Sequence, residues 1–244
     1  VYTTSLPPVN KIVKPTPLKL AVKLNIHYNI SNMGIVRSFD LEQFTDPTTS
    51  NVVVVSGPSG AGKGTLISAA QDDPELSFAW PVSSTTRGMR PGEAHGSEYD
   101  FVGVPRIKLL RDIGALFELE AYDGNFYGSP HPQPLIDGLS EVATILYELE
   151  SKGAQSLLDT YPALWIAVVP PSTSELEVRL RERGTNSEKS INKRLTTWIN
   201  EEEPVLVGGE GRYSPHITIV NDDLSTATSA FIHAIRYGAL PEST

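Results

Sequence analysis

Cysteine is absent from the 244 residues. Its absence removes disulfides, thiolate metal sites and cysteine nucleophiles, and fits a reducing compartment. Histidine is sparse. His27, His95, His131, His216 and His233 are scattered, and no two stand at the i, i+4 spacing that puts two zinc ligands on one helical face, so no structural metal is expected. Positive charge is also short, with 20 basic against 29 acidic residues and a net charge of −9. A broad nucleic-acid surface is therefore not expected, and an anionic ligand must be held by a local pocket. No apolar run reaches the roughly 18 to 20 residues of a membrane helix; Leu18 to Ile26 is broken by Lys19, Lys23 and Asn25. The expectation is a soluble, cytoplasmic chain without membrane or nucleic-acid partners, with one domain and an appendage.

The appendage is N-terminal. Residues 1 to 32 carry four lysines and no acid, and Pro7, Pro8, Pro15 and Pro17 interrupt any helix. This reads as a largely disordered extension over 1–50, or a start assigned too early given Met33, ahead of an organellar presequence, which should contain arginine. From Asn51 the text alternates. Apolar runs at Val52 to Val55, Thr144 to Leu149, Leu164 to Val169 and His216 to Val220 suit buried parallel strands, and segments of helical spacing lie between them. That pattern predicts an α/β domain over 51–240 with a parallel sheet flanked by helices. In "PPSTSELEVRLRERG" Ser172 and Glu175 form a capping-box signature and Gly184 a stop. "AYDGNFYG" reads as a tight hairpin. Trp80, Trp165 and Trp198 read as packing residues.

The most specific short signal is "VVVVSGPSGAGKGT", residues 52 to 65. A buried strand runs into Gly57, Pro58, Ser59, Gly60, Ala61, Gly62 and Lys63, and a helix follows. Glycines let backbone N–H groups approach phosphate oxygens, the helix N-terminus adds partial positive charge, and Lys63 reaches the outer phosphates. This is a P-loop for a nucleoside triphosphate, with one departure: Gly64 stands where a hydroxyl residue is usual, and the first hydroxyl is Thr65.

Five ordered blocks, "SGPSGAGKGT", "VSSTTRGMRPGEAHGSEYDFV", "FELEAYDGNFYGS", "PPSTSELEVRLRERGTNSEKSINKRL" and "IVNDDL", together resemble guanylate kinase over about residues 51–240. The resemblance implies a P-loop core, a small mixed β subdomain for GMP at about 82–130 and a helical lid at about 181–200. It implies ATP-dependent phosphorylation of GMP and dGMP with Mg²⁺, in purine nucleotide metabolism. Carried over by position, Arg87, Arg90, Tyr99 and Tyr127 hold the GMP phosphate. Guanidinium forks and phenols suit a phosphate dianion better than lysine does. Ser83, Glu118 and Ser129 read guanine, since two carboxylate oxygens accept N1–H and N2–H together. Glu150 stands where the family has the second aspartate of Asp-x-Asp, one methylene shorter. Lys63, Arg87, Arg183 and Arg194 form the catalytic set, and Asn221 lies by the adenine or serves as a strand-end turn. At Gly64 the family has Ser; Gly-Lys-Gly-Thr resembles the adenylate kinase loop, which holds Mg²⁺ mainly through phosphates and water. No protein metal ligand is then expected. Two other readings are a kinase of another phosphorylated acceptor such as a ribose bisphosphate, and a non-catalytic scaffold module binding phosphopeptides. The sequence pattern does not separate monomer from dimer.

Overall fold

The four valines Val52 to Val55 are 0–1% exposed, and burial of each is worth about 1.5 kcal/mol or more. They lie in strand β2 (Val52–Ser56), whose side chains alternate between two faces. Val52 and Val54 pack with Ile145, Trp165, Leu176, Leu180 and Trp198, while Val53 and Val55 pack with Leu66, Ile67, Leu146, Ile166 and Phe231. A strand covered on both sides must be a central one. The computed structural model describes residues 22–24, 51–97, 99–122, 124–132, 144–184 and 187–241.

In chain order the elements are β1 (Val22–Leu24), β2, α1 (Lys63–Gln71), β3 (Phe78–Pro81), β4 (Ser84–Thr85), β5 (Asp100–Phe101) and α2 (Val104–Asp112), followed by β6 (Leu116–Tyr122), β7 (Asn125–Pro130), β8 (Thr144–Glu148) and α3 (Ser151–Leu158). Then come β9 (Leu164–Val169), α4 (Thr173–Glu182), α5 (Glu188–Thr197), a π turn (Trp198–Glu202), α6 (Glu203–Leu206), β10 (Ile217–Val220) and α7 (Leu224–Tyr237). The main sheet has the order β1-β3-β8-β2-β9-β10 and is parallel throughout. Helices α1 and α7 cover one face; α3, α4, α5 and the π turn cover the other. The strand after β2 in the chain, β3, lies to one side of it, and β9 lies to the other. A crevice at the C-terminal strand ends follows from that reversal.

A second, four-stranded sheet, β5-β4-β7-β6, is mixed: β4 and β5 are parallel, the other pairs antiparallel. Helix α2 packs on it through Ile107 and Leu110. Tyr122 pairs with Asn125, which makes the expected tight hairpin. Pro130 closes β7, where its carbonyl accepts from the buried Tyr147 hydroxyl at 2.7 Å. That bond ties the small sheet to β8 of the main one. Ser172 caps α4 by accepting from the Glu175 N–H at 3.1 Å, while the Glu175 carboxylate accepts from Arg179 four residues on. Only the first half of the capping box therefore forms.

The four strands expected from apolar runs are β2, β8, β9 and β10. Of the N-terminal extension, residues 22–24 form an edge strand beside β3; the rest of 1–50 lies outside the described residues. Among the described residues no helix is long and apolar enough to cross a membrane.

Candidate active site

The loop after β2 is shaped by glycines that cannot be replaced locally. At Gly57 φ is +145°, and a Cβ there would sit 1.9 Å from the Val168 carbonyl oxygen. At Gly62, the N-cap of α1, φ is +93°, and a Cβ would meet the Asn221 amide nitrogen at 2.2 Å. Asn221, at the end of β10, is buried and donates through Nδ2 to the Ala61 carbonyl at 2.8 Å. It braces the loop from behind. Lys63 opens α1 and folds back over the loop, donating to the Gly57 and Pro58 carbonyls at 2.6 and 3.2 Å. Its Nζ is also 3.6 Å from Glu148 Oε1. A strand pairing causes this meeting: Val55 of β2 lies opposite Glu148 of β8, so both strand ends open on one crevice. Gly64 and Thr65 are exposed, and a Cβ at Gly64 would meet nothing within 4 Å.

Residues expected to hold the acceptor lie on and beside the small sheet. Arg87 follows β4, with its N–H donating to Thr85 Oγ1, and its guanidinium carbon lies 5.6 and 5.5 Å from the Tyr99 and Phe101 ring centres. Tyr99 meets Tyr127 edge-on at 5.9 Å. Three of the four residues expected at the acceptor phosphate, Arg87, Tyr99 and Tyr127, are thus brought together; Arg90 is exposed. Glu93, which the sequence reading did not single out, organises both arginines. It accepts both arms of the Arg87 fork, Nη2 at 2.8 Å and Nη1 at 3.0 Å, and the Arg90 N–H at 2.7 Å. The Arg87 hydrogen bond, then the Arg90 N–H, hold the Glu93 carboxyl below its ordinary value.

On the other half of this sheet Glu118 of β6 lies opposite Ser129 of β7, whose hydroxyl donates to Glu118 Oε2 at 3.1 Å. Glu118 is half-buried. Burial pushes its carboxyl up, the charges of Glu120 and Glu150 push the same way, and the Ser129 hydrogen bond opposes them. Ser83 stands just before β4, whose Ser84 lies opposite Gly128 of β7, and its carbonyl accepts from the Asp100 N–H of β5 at 2.9 Å. Glu150 is exposed and forms the N-cap position of α3.

Arg183 is the C-cap residue of α4 and Arg194 lies in α5, on either side of residues 185–186, and both side chains are exposed. Arg194 Nε lies 3.4 Å from Ser190 Oγ. The two helices are joined instead by Arg181, which pairs with Glu177 at 2.5 Å and Glu188 at 3.2 Å. The π turn after α5 carries Glu202 inward at 6% exposure. Burial pushes that carboxyl up, Glu150 adds to the effect and Lys63 counters it. A sequence reading has no signal for such an acid, because Glu201, Glu202 and Glu203 look alike until a π turn chooses which one faces in.

Among the described residues no three histidine or carboxylate side chains form a metal-holding group. The loop's donor set, Thr65 with open space at Gly64, fits an ion held chiefly by nucleotide phosphates and water.

A family model described as guanylate kinase matches residues 49–236. The guanylate kinase of Thermosynechococcus vestitus is 39% identical over 191 residues, covering 78% of this chain and 95% of that protein. That of Trichodesmium erythraeum is 42% identical, covering 64% and 83%. That of Bordetella pertussis is 38% identical, covering 77% and 83%. Among solved structures, guanylate kinase from Anaplasma phagocytophilum aligns at a TM-score of 0.51 with 24% identity, over 78% of this chain and 87% of that one, and so supports the fold. With the loop, the arginine–tyrosine cluster and the Glu118–Ser129 pair in place, these similarities put the chain in the guanylate kinase family, enzymes that phosphorylate GMP with ATP.

Proposed function

We propose that this chain transfers the terminal phosphoryl group of ATP in line to GMP and dGMP, a step of purine nucleotide metabolism. The loop from Gly57 to Thr65 takes the triphosphate, with Lys63 leaving its loop carbonyls for the outer phosphates. Arg87, Arg90, Tyr99 and Tyr127 hold the acceptor phosphate. The guanine edge goes to Glu118, with Ser83, Ser129 and Glu150 around it. The residues 82–130 act as the acceptor subdomain and 181–200 as a lid that brings Arg183 and Arg194 over the reacting phosphates, excluding water. No general base is needed, because a nucleotide phosphate with second pKa about 6 is mostly a dianion at neutral pH. The chain's contribution is to align two anions and supply fixed positive charge where negative charge accumulates. Mg²⁺ held mainly by the nucleotide phosphates and water would supply further charge neutralisation. dGMP is included because the resemblance to guanylate kinase implies it.

The observation that carries the reading is the Glu118–Ser129 pair, a half-buried carboxylate held at 3.1 Å by a hydroxyl on the sheet that also carries the Arg87 cluster. Guanine offers it two donors. Adenine would present an acceptor to an acidic oxygen and lose at least about 1 to 3 kcal/mol, or roughly tenfold to several hundredfold. A ribose bisphosphate would leave the pair without a role, and a phosphopeptide module would leave Lys63 without one. The test is a coupled ATP-consumption assay with Mg²⁺ across GMP, dGMP, AMP, CMP, UMP and ribose bisphosphate. Turnover with GMP and dGMP is expected; none with either, in folded protein, overturns the proposal.

A further inference from the structure

The Glu118 carboxylate is gripped from two sides. Ser129 donates to one oxygen, and the first turn of α3 lies against both. At the contact point on α3 stands Gly153, which is buried. A Cβ built on it would lie 3.0 Å from Glu118 Oε1, 3.3 Å from Oε2 and 3.4 Å from Leu149 Cβ. Gly153 is absent from the glycines with positive φ, and it sits in ordinary helix, where alanine is the better residue. Helical propensity therefore argues against a glycine here, while the carboxylate's position requires one.

We infer that Gly153 is a specificity-determining positioning residue, whose missing side chain sets where the two base-reading oxygens of Glu118 come to rest. The inference rests on the proposed reading of guanine by Glu118. An alanine methyl would not break the helix. It would push the carboxylate outward by a few tenths of an ångström, because the far end of a flexible side chain yields more easily than the helix backbone. Two parallel hydrogen bonds to N1–H and N2–H require both oxygens in place, and shifts of about 0.5 Å are what such sites fail to tolerate.

The test is Gly153→Ala, measured for thermal stability, for KM of GMP, IMP and ATP, and for direct GMP and IMP binding by calorimetry. IMP keeps N1–H and lacks the N2 amino group, so it reports on one of the two bonds. Tm is expected to stay level or rise by about 1 to 4 °C, since a helical Gly→Ala change favours the fold. KM for GMP is expected to rise about tenfold, with the GMP-over-IMP preference reduced and KM for ATP within about twofold of wild type. On a Glu118→Ala background the same substitution should leave KM for GMP unchanged, because the group it displaces is gone. Unchanged GMP affinity and GMP-over-IMP preference in Gly153→Ala overturn the inference, as does an equal loss on the Glu118→Ala background. Failure of wild type to phosphorylate GMP would instead overturn the parent reading, so the two failures are distinct.

Discussion

Asn221 decides how the phosphate loop is held, and its truncation has a cost that can be worked out. The Asn221→Ala substitution removes the Nδ2 donor that reaches the Ala61 carbonyl at 2.8 Å. Asn221 is 6% exposed and Ala61 0%, so water has little access to the carbonyl left behind. An unmatched buried polar group costs about 1 to 3 kcal/mol. The bond secures the loop just before Gly62, where the chain turns into α1, so that cost falls mainly on the phosphate-binding conformation. At about 1.4 kcal/mol per tenfold, KM for the donor rises by roughly 5- to 150-fold, while KM for GMP stays close to wild type. Asn221→Asp, of the same shape, should be worse, since it points an acceptor at an acceptor. The assay is steady-state turnover with ATP and with ITP as donors. These share the triphosphate and differ at the base, so a loop brace predicts the same proportional loss for both. An unchanged donor KM refutes the brace, and a loss confined to ATP assigns Asn221 to the adenine instead.

Glu93→Gln keeps the shape that holds Arg87 and removes the charge; KM for GMP should rise severalfold with KM for ATP unaffected, and a fall in KM for GMP would show Glu93 competing with the phosphate for Arg87. Gly64→Ser puts a hydroxyl into open space at an exposed helical position; half-saturating Mg²⁺ should fall in a metal titration of turnover, and an unchanged value means position 64 does not meet the ion. Glu118 has a folded-state pKa raised chiefly by burial, and guanine's donors need its ionised form. GMP affinity should therefore fall as pH drops through that raised value, and the Glu118-dependent component should vanish in Glu118→Gln. The same shift makes protonation favour the fold, so Glu118 contributes stability below the unfolded carboxylate's pKa and loses it as pH rises through the folded one. Urea denaturation of wild type and Glu118→Gln across the acid range measures this, and parallel curves would refute it.

Much of the donor half was legible in the sequence because its determinants are local. Val52 to Val55, Gly57, Gly62 and Lys63 fall within twelve consecutive residues, and each residue type is demanded by the backbone beside it: buried strand, left-handed turn, helix start. The capping signal at Ser172 and the hairpin after β6 were readable for the same reason. Short strands such as β4 and β5 were not, since two residues carry no periodicity and form only because β7 pairs with β4. Glu93 and Gly153 look unremarkable in a string of letters. Their importance comes from partners six and 35 positions away, and the turn after β4 and the packing of α3 on β6 create both contacts.

The sequence by itself determined the P-loop, the α/β alternation and, through five ordered blocks, the resemblance to guanylate kinase. Strand-length apolar runs and glycine spacing impose their geometry on the chain wherever it folds. Only the tertiary structure decided that Glu148 rather than open solvent meets Lys63, that Asn221 supports the loop through Ala61, and that a side chain at Gly153 would displace Glu118. These contacts depend on β2 lying between β8 and β9, on β10 ending behind the loop, and on α3 resting against the small sheet. Such relations come from buried surfaces brought together across the whole chain, and no local preference encodes them.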